Sequence, residues 1–503
     1  MNIATFLGHF GISENPFRAE EARHDSVFKR VETSCRHPDF EKIRGDFERS
    51  STSIVFGERG SGKTAIRLQI EHALAEHNLI RPDARCLPLI YDELNPVLDR
   101  LSRRLRKLSP LEVLRTIKLV DHIDAMMNAV VPRIVDRILG EAHGHDEVLF
   151  DQEAPKRVPR LAPHLKRDLM MLQICYDRPE VAAGRSARLK RILRLDSLNR
   201  LVWLKWITAG MTGVTLGLLL YYLISSPERG VWAWITAIVL MLLVTAGMTG
   251  RLVWMWIQTQ RLAADLSKRL RVLDRSAASF RDSLLAVSLQ DALAANLPRS
   301  DGDDRRYAMF ARLLRVIRPF GYRSIMVLVD RVDEPTLING EPRRMQAFVW
   351  PMLNNKFLQQ DHVGVKLLLP LELRRLLSQE TTEFFREARM DKHNLIDRLT
   401  WSGATLYDLC SARISACRED GDPSPPLTDM FDDSVTQQDL VDALGQMQQP
   451  RDAMKFLYQV IREHCTNVPE ERPQWQVPRP LLDSVRRSQV DRMNGMLRGE
   501  RPA

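Results

Sequence analysis

A glycine-rich loop that begins at Gly57 carries the clearest chemistry in this sequence. A short β-type apolar run, residues 52–56, leads into the loop, and a helical pattern over residues 65–70 follows it. Glycines let successive backbone N–H groups point at phosphate oxygens, and the N-terminus of the following helix adds partial positive charge. The order strand, G-x-x-x-x-G-K-T loop and helix therefore predicts a site for the phosphates of ATP. The predicted phosphate-binding residues are Gly57, Gly60, Ser61, Gly62, Lys63 and Thr64.

The last two residues of this loop have separate predicted roles. Lys63 would reach the β- and γ-phosphates, and the Thr64 hydroxyl would ligate Mg²⁺. A second metal ligand is expected after another strand, and Asp330 directly follows the apolar run over residues 325–329. Such a run is typical of a buried strand in a parallel sheet, and ligands bind at the carboxyl ends of these strands. Thr64 and Asp330 are thus the predicted Mg²⁺ ligands.

Two acidic residues follow Asp330 closely enough for one of them to be a general base. This residue would polarise the water that attacks the γ-phosphate. Glu334 is the first candidate for the catalytic role, and Asp333 is the second. The alternative is that both residues only cap the next helix, because acidic residues are common at helix starts.

The segment between Thr64 and Asp330 is far longer than a compact α/β core requires, which indicates an insertion. Within it, residues 206–224 and 231–250 are uncharged, and each run is about 20 residues long, enough to cross a hydrocarbon core. They predict two transmembrane helices. The short link, residues 225–230, contains Pro and Gly and makes the pair a hairpin. A buried hairpin of a soluble protein is the alternative.

Positive residues flank both apolar segments, whereas the link carries only Arg229. The positive-inside rule then puts both flanks and both termini in the cytoplasm, which predicts a two-pass protein of the inner (cytoplasmic) membrane. The flanking residues are Arg185, Arg188, Lys190, Arg191, Arg194, Arg200 and Lys205 before the first segment, and Arg251, Arg261, Lys268, Arg269, Arg271 and Arg275 after the second.

The net charge of +9 is therefore explained by membrane lipid as the predicted partner, with nucleic acid a less favoured alternative. Small residues in the two apolar segments favour close helix pairing or a homo-oligomer. These residues are Gly210, Gly213, Gly217, Gly247 and Gly250. The scattered cysteines form neither a zinc motif nor a disulfide framework, and nothing in the sequence identifies a protein partner.

The segment Asp330-Arg331-Val332-Asp333-Glu334 resembles the D-x-h-D-E motif of NACHT and other STAND ATPases, although NACHT proteins prefer a small residue where Arg331 stands. It is also similar to the acid-rich Walker B of KAP ATPases, which carry transmembrane helices between their two motifs. The resemblance implies a nucleotide-driven conformational switch or an oligomerising ATPase. Bacterial members of such families are often associated with defence against phage or with signalling.

The end of the chain has the helical patterns of a lid. Within it, Arg451 follows Pro450 at the start of an amphipathic helix. The position resembles sensor 2 of AAA-type ATPases, which implies that Arg451 contacts the nucleotide. Arg374 and Arg375, after the strand-like run over residues 363–369, are either solvated or in contact with the γ-phosphate.

Together these features predict an α/β P-loop NTPase with a parallel sheet, a helical insert, a two-helix transmembrane hairpin and an α-helical C-terminal lid. The expected function is membrane-anchored ATP binding with ATP hydrolysis. An ATP-dependent nucleic-acid or protein motor and an ATP-gated pore are the alternatives. The predicted segments are an N-terminal lead-in (1–50), the first half of the core (51–100), a helical insert (101–205), the hairpin (206–250), an amphipathic stalk helix (251–300), the second half of the core (301–410) and the lid (411–503).

Overall fold

A computed structural model of the chain describes residues 1–18, 21–31, 34–141, 154–195, 200–225, 231–300, 302–418 and 426–497. The chain divides into two compact units. The first combines Met1–Glu93 with Ser324–Ala503, and the second is Leu94–Arg323. The first unit opens with helices α1 (Ile3–His9), α2 (Ser26–Val31) and α3 (Phe40–Arg44), strand β1 (Ser53–Gly57), helix α4 (Lys63–Ile80) and strand β2 (Arg85–Tyr91).

The described elements that lie wholly inside the second unit are helices. They are α5 (Asn95–Arg104), α6 (Pro110–Arg115), α7 (Leu119–Leu139), α8 (Ala154–Arg157), α9 (Pro163–Tyr176), α10 (Ala182–Ile192), α11 (Arg200–Ser225), α12 (Val231–Arg269), α13 (Ala277–Leu284), α14 (Leu289–Ala294) and α15 (Asp304–Ile317). The predicted core (51–100 and 301–410) therefore extends too far into the insert, because α5 and α15 belong to the helical unit.

Helices α11 and α12 are long and apolar enough to cross a membrane, over Leu204–Ile224 and Trp234–Arg269. They pack along a seam whose buried residues repeat every seven positions, Thr208 and Thr215 on α11 and Ile238 and Thr245 on α12. Most leucines outside the seam are exposed. The five glycines of these helices lie off this contact, because a Cβ added to any of them would meet no described atom within 4 Å. Of the predicted link, residues 226–230 lie outside the described residues.

The predicted stalk helix over residues 251–300 is interrupted in the structure. Helix α12 ends at Arg269, and two short helices follow. Ser276 and Ser288 cap these helices, since their side chains accept hydrogen bonds from the N–H groups of Ser279 and Asp291, at 3.2 and 3.1 Å. Serine side chains that bond nearby backbone groups favour a new helix start over continuation. The Arg275 side chain is buried and donates to the Ile174 carbonyl, at 2.5 Å. The prediction of a single helix was wrong.

The remainder of the first unit alternates strands and helices and then becomes helical. The elements are β3 (Tyr322–Val329), α16 (Pro342–Val349), α17 (Asn355–Leu358), β4 (Val363–Pro370), α18 (Leu371–Leu377), α19 (Thr382–Ala388), β5 (Asn394–Ile396), α20 (Gly403–Ala416), α21 (Gln437–Met447), α22 (Pro450–Asn467) and α23 (Arg479–Leu497). The predicted lid boundary at residue 411 falls inside α20, so we define the lid as α20–α23.

The five strands form one all-parallel sheet in the order β2-β3-β4-β1-β5. Strand β4 lies between the two strands whose ends carry the predicted site, with Val55 opposite Leu368 and Val327 opposite Val365. Strands β1, β3 and β4 are buried almost throughout, which agrees with their continuous apolar runs. Their carboxyl ends meet at a single edge of the sheet.

Two hydrophobic cores hold this unit together, and the predicted lead-in (1–50) is divided between them. Phe6 and Phe17 pack with the lid helices, in a cluster that we call the lid core. Phe40 and Phe47 pack instead with β1, α4 and the sheet. The lead-in is therefore not one segment: its first part belongs to the lid and its second part to the sheet.

Candidate functional site

The carboxyl ends of β1 and β3 bring the two predicted metal ligands into contact. Thr64 lies in the first turn of α4, and its hydroxyl donates to Asp330 Oδ2 at 2.9 Å. Asp330 immediately follows β3 and is 1% exposed. The hydroxyl and the carboxylate are far apart in the sequence, and the parallel sheet places them together.

The glycine-rich loop, Gly57 to Thr64, has the backbone shape that its glycines permit. Gly60 and Gly62 have φ values of 97° and 93°, in the left-handed region that other residues rarely adopt. At Gly57 the constraint is space, because a Cβ there would lie 2.4 Å from Ser61 Oγ. Ser61 is buried, and its hydroxyl donates to the Glu58 carbonyl at 2.9 Å. The loop ends at Gly62, the N-cap of α4, whose free N–H groups suit an anion.

Lys63, the first residue of α4, is folded back on the loop. Its ammonium donates to the carbonyls of Gly57 and Glu58, at 2.7 and 2.8 Å. Burial lowers the pKa of Lys63, and the nearby carboxylates of Asp333 and Asp330 oppose that change. Carbonyl oxygens are weaker partners for a partly buried cation than an anion is. Phosphate oxygens would therefore be stronger acceptors for the Lys63 ammonium than these two carbonyls.

Asp330 has a second cationic neighbour that the sequence analysis missed. Arg67, one turn after Thr64 on α4, is buried, and its Nε donates to Asp330 Oδ2 at 3.4 Å. Arg67 also pairs with Glu71 and with Asp92. Burial raises the pKa of Asp330, and Arg67 and the Thr64 hydroxyl oppose that rise. The available signal was an arginine on the apolar face of the helix that follows the loop.

The two candidate bases lie in different surroundings. Arg331, which has a φ of 59°, pairs with Glu334 and lies 3.5 Å from a Glu21 oxygen. Its Nε donates to Glu334 Oε2 at 2.5 Å, and this bond raises the pKa of Arg331. Asp333 fixes the loop through its carbonyl, which accepts from Gly340 N at 2.9 Å. The Glu334 carboxylate is therefore held by a cation of its own segment.

The alternative role for these two acids, capping the next helix, is wrong. Helix α16 begins at Pro342, and its N-cap is Glu341. Asp333 and Glu334 lie well before that position and line a cavity instead.

This cavity of about 580 Å³ is lined by the predicted site residues except Gly57 and Ser61. Its volume lies in the range of sites for small molecules and cofactors. One group of lining residues is polar and comes from the loop and the acidic segment: Gly60, Gly62, Lys63, Thr64, Asp330, Asp333 and Glu334. A second group comes from the lead-in, α4 and the lid: Phe28, Cys35, Ile66, Gln69, Leu409, Arg413 and Met454. The cavity thus has a charged part and a largely apolar part.

The lid contributes Arg451 to the cavity, and residues of the lid and of the segment just before it hold the loop. Arg451 is the second residue of α22 and packs against Gly60, where a Cβ on the glycine would lie 3.1 Å from Arg451 Cβ. Gln449 donates to the Glu58 carboxylate, as does Arg398, the latter at 2.5 Å. The Trp401 indole donates to the Ser61 carbonyl at 2.9 Å. These contacts with Glu58 and Ser61 join segments far apart in the sequence and were not predicted.

Arg374 and Arg375 do not line the cavity in the described part of the chain. Arg374 pairs instead with Asp397, at 2.5 Å. Of the two alternatives given for this pair, the structure supports the solvated one.

The donor set suits a magnesium ion bound jointly by protein and phosphate. Within the described residues, no group of three or more His, Cys, Asp or Glu side chains could hold a metal. Thr64 and Asp330 supply a hydroxyl and a carboxylate. Mg²⁺ is commonly held by one or two carboxylates together with substrate phosphates, so a small set of protein ligands is sufficient. No protein-family model, curated protein or solved structure matches this chain.

Proposed function

We propose that this protein is a membrane-anchored P-loop NTPase that binds Mg·ATP in the cavity and hydrolyses it. The observation that carries the proposal is the 2.9 Å contact of Thr64 with Asp330 beside Lys63, at the N-terminus of a long helix. A hydroxyl, a carboxylate, an ammonium and free helix N–H groups together match what a magnesium-bound triphosphate requires. Each of them also lines or borders one cavity.

Each side chain has a defined task in this proposal. Lys63 exchanges its loop carbonyls for β- and γ-phosphate oxygens, and Arg451 approaches the phosphates from the lid. Thr64 and Asp330 would hold Mg²⁺, and the bound ion would supply positive charge next to the phosphates. Glu334 leaves Arg331 and accepts a proton from the attacking water, with Asp333 as the alternative base. A phosphate group that draws Arg331 away would free Glu334 for this task.

The apolar helices support the membrane part of the proposal. Their exposed leucines are costly in water and match the lipid interior. The basic flanks favour a cytoplasmic location for both ends of the hairpin. Thr208, Thr215 and Thr245 are buried in the α11–α12 seam. The exposed threonines, Thr212, Thr236 and Thr249, donate their hydroxyl hydrogens to carbonyls of their own helix, which does not favour a water-filled pore lined by these hydroxyls. We therefore favour a nucleotide-driven switch or oligomerising ATPase over a pore.

Phosphate release by the full-length protein in detergent tests the catalytic part. We expect hydrolysis of ATP with Mg²⁺ and none when EDTA removes the metal. Added double-stranded DNA should leave the rate unchanged. Stimulation by DNA would favour the nucleic-acid motor, and an absence of hydrolysis would remove the enzymatic claim.

Cysteine labelling in intact cells tests the topology. The background lacks the six native cysteines. Ser226→Cys, in the link outside the described residues, should react with an impermeant maleimide. Ala187→Cys, at an exposed position on α10, should react only after the membrane is made permeable. The reverse pattern would contradict a cytoplasmic nucleotide site.

A further inference from the structure

The cavity extends well beyond the residues that would hold phosphate. Ile66 and Gln69 line it from α4, and Gln69 is five residues past Thr64. At a rise of about 1.5 Å per residue, this wall continues roughly 7.5 Å along the helix from the predicted metal ligand. Phe28 of α2 and Leu409 of α20 also line the cavity. A ligand that fills it therefore needs a flat or apolar part in addition to its phosphates.

Arg413 on α20 also lines this part of the cavity. The other cationic residues of the described lining belong to the glycine-rich loop, to helix α4 next to it, to the acidic segment after β3 or to the start of α22: Arg59, Lys63, Arg331 and Arg451. Arg413 is 1% exposed. Its Nε donates to the Pro16 carbonyl at 2.6 Å, and its Nη1 lies 2.8 Å from Asp25 Oδ2. Its Nη2 is buried and has no acceptor among the described residues. A buried donor of a charged group that lacks an acceptor is costly, so a ligand that supplies one is favoured.

The position of this guanidinium is fixed on two sides. Asp25, its ion-pair partner, uses its other oxygen to accept from the backbone N–H groups of Val27 and Phe28, at 3.0 and 3.1 Å. The same carboxylate therefore caps α2 and holds Arg413. With Nε and Nη1 both engaged, the direction of Nη2 is largely determined, which is the condition for selective recognition.

Arg185 Nε and Arg312 Nη1 also have no hydrogen-bond partner among the described residues, but neither arginine lines the cavity. A further buried arginine has no open donor at all. Arg306, in the helical unit, is 0% exposed and pairs with Asp124. All three of its nitrogens have acceptors: Nε and Nη2 donate to Asp124, and Nη1 donates to the Ser300 carbonyl. Each side-chain nitrogen of Arg306 therefore has a hydrogen-bond acceptor, whereas Nη2 of Arg413 has none among the described residues and Arg413 lines a cavity.

We propose that Arg413 recognises the base of the bound nucleotide, by donating from Nη2 to a ring nitrogen of adenine. The inference rests on the proposed function and assigns specificity within the same site. Arginine carries donors only, so its partner must be an acceptor, and adenine offers N1, N3 and N7. Phe28, Ile66 and Leu409 supply the apolar surroundings for the ring. Arg413 then makes the site select ATP over a triphosphate without a base.

Calorimetric titration of the full-length protein in detergent tests this role with two ligands, Mg·ATP and Mg·tripolyphosphate. Arg413→Lys keeps a cation for Asp25 but cannot present the planar fork. We expect it to bind ATP about tenfold or more weakly, the range of a lost charged hydrogen bond, and to bind tripolyphosphate unchanged. Equal affinity of the variant and the wild type for ATP would overturn the proposal, as would an equal loss for both ligands.

Deaza analogues identify the acceptor without relying on the variant's stability. One of 1-deaza-, 3-deaza- and 7-deaza-ATP should bind the wild type about tenfold more weakly than ATP. The same analogue should bind Arg413→Lys as tightly as ATP does. If all three analogues bind the wild type like ATP, the proposal is wrong, even where Arg413→Lys does not fold.

Arg306→Lys is the matched control, because it weakens a buried arginine–aspartate pair that does not line the cavity. Its ratio of ATP to tripolyphosphate affinity should equal that of the wild type. A wild type that binds neither ligand would contradict the proposed function itself. A wild type that binds both, with a ratio that Arg413→Lys leaves unchanged, would contradict only the base-recognition role.

Discussion

The two edges of the parallel sheet each have a lysine near a cavity, half-buried Lys63 at one edge and buried Lys366 at the other. Lys63 follows β1 at the carboxyl edge, beside the cavity of about 580 Å³. Lys366 lies in β4 opposite Ser53, the first residue of β1, near the amino edge. A second cavity of about 450 Å³ opens there, lined by residues that include His362, Val363 and Asn394.

The surroundings of the two lysines differ. Lys366 donates to the Ser51 carbonyl and the Ser53 hydroxyl, at 2.8 and 3.2 Å, and burial lowers its pKa to about 7. Lys63 starts a helix and lies near the carboxylates of Asp330 and Asp333. The cavity near Lys366 lies where α17 ends before β4, and helix C-termini carry partial negative charge.

A lysine beside a cavity is therefore not sufficient to predict a phosphate site. In a parallel sheet, helices that follow strands point their N-termini toward the carboxyl edge, where they attract anions. The carboxylates after β3 reach the same edge, so cation, metal ligands and helix dipole coincide. Substitutions at the carboxyl edge should therefore change ATP binding or hydrolysis, whereas substitutions at the amino edge should not.

The largest effect on turnover is expected at Glu334. Glu334→Gln keeps the size of the side chain but removes the base, so hydrolysis should fall at least tenfold, and up to about 10⁴-fold, while Mg·ATP still binds. Asp361→Asn, at the other edge, is the control and should leave the rate unchanged. Rates are measured by phosphate release at saturating ATP. If Asp333→Asn slows hydrolysis and Glu334→Gln does not, the base is Asp333.

A smaller effect is expected from releasing the Glu334 carboxylate. Arg331→Gln removes the cation that holds it, so turnover should rise. Partly exposed ion pairs contribute roughly 0.2–1 kcal/mol, which limits the gain to about fivefold. Single-turnover rates of the variant and the wild type measure this change. A loss of activity larger than tenfold would mean that Arg331 acts directly on the nucleotide rather than on Glu334.

The smallest effect on nucleotide binding is expected at Lys366, which should instead affect stability. Its pKa is about 7 in the folded state and near 10.5 when exposed, so between these values the unfolded chain binds a proton that the folded chain lacks. Stability should therefore rise with pH from 7 to 9. Lys366→Met should reduce this slope while its affinity for ATP stays that of the wild type. Unfolding midpoints at pH 7, 8 and 9 measure the slope, and an unchanged slope would contradict the assignment.

Much of the carboxyl edge could be predicted because its signals are local. A glycine pattern between a strand and a helix, and an apolar run that ends in Asp330, need no tertiary information. The apolar helices α11 and α12 are equally visible by length and composition. Strand β5 was not predicted, since it has three residues, Asn394–Ile396, and no continuous apolar run.

The contacts that tune the site could not be predicted, because they join distant segments. Arg67 reaches Asp330, and Arg413 on the lid reaches Asp25 in the lead-in. The division of the lead-in between two cores is also set by packing, not by local pattern. The interruption of the predicted stalk helix could have been predicted locally, because Ser276 and Ser288 are residues that favour helix starts. The prediction of one helix followed the apolar pattern instead.

Equilibrium binding of Mg·ATP to the full-length protein should distinguish the two edges of the sheet. The wild type is compared with Lys63→Met and Lys366→Met. Both substitutions remove a lysine of the same unit, but only Lys63 lines the cavity of the proposed site. We expect the wild type and Lys366→Met to bind one ATP per chain with similar affinity. Lys63→Met should bind at least about tenfold more weakly, since a charged contact to phosphate is lost. Undiminished binding by Lys63→Met, or no binding by the wild type, would contradict a nucleotide site at the carboxyl edge.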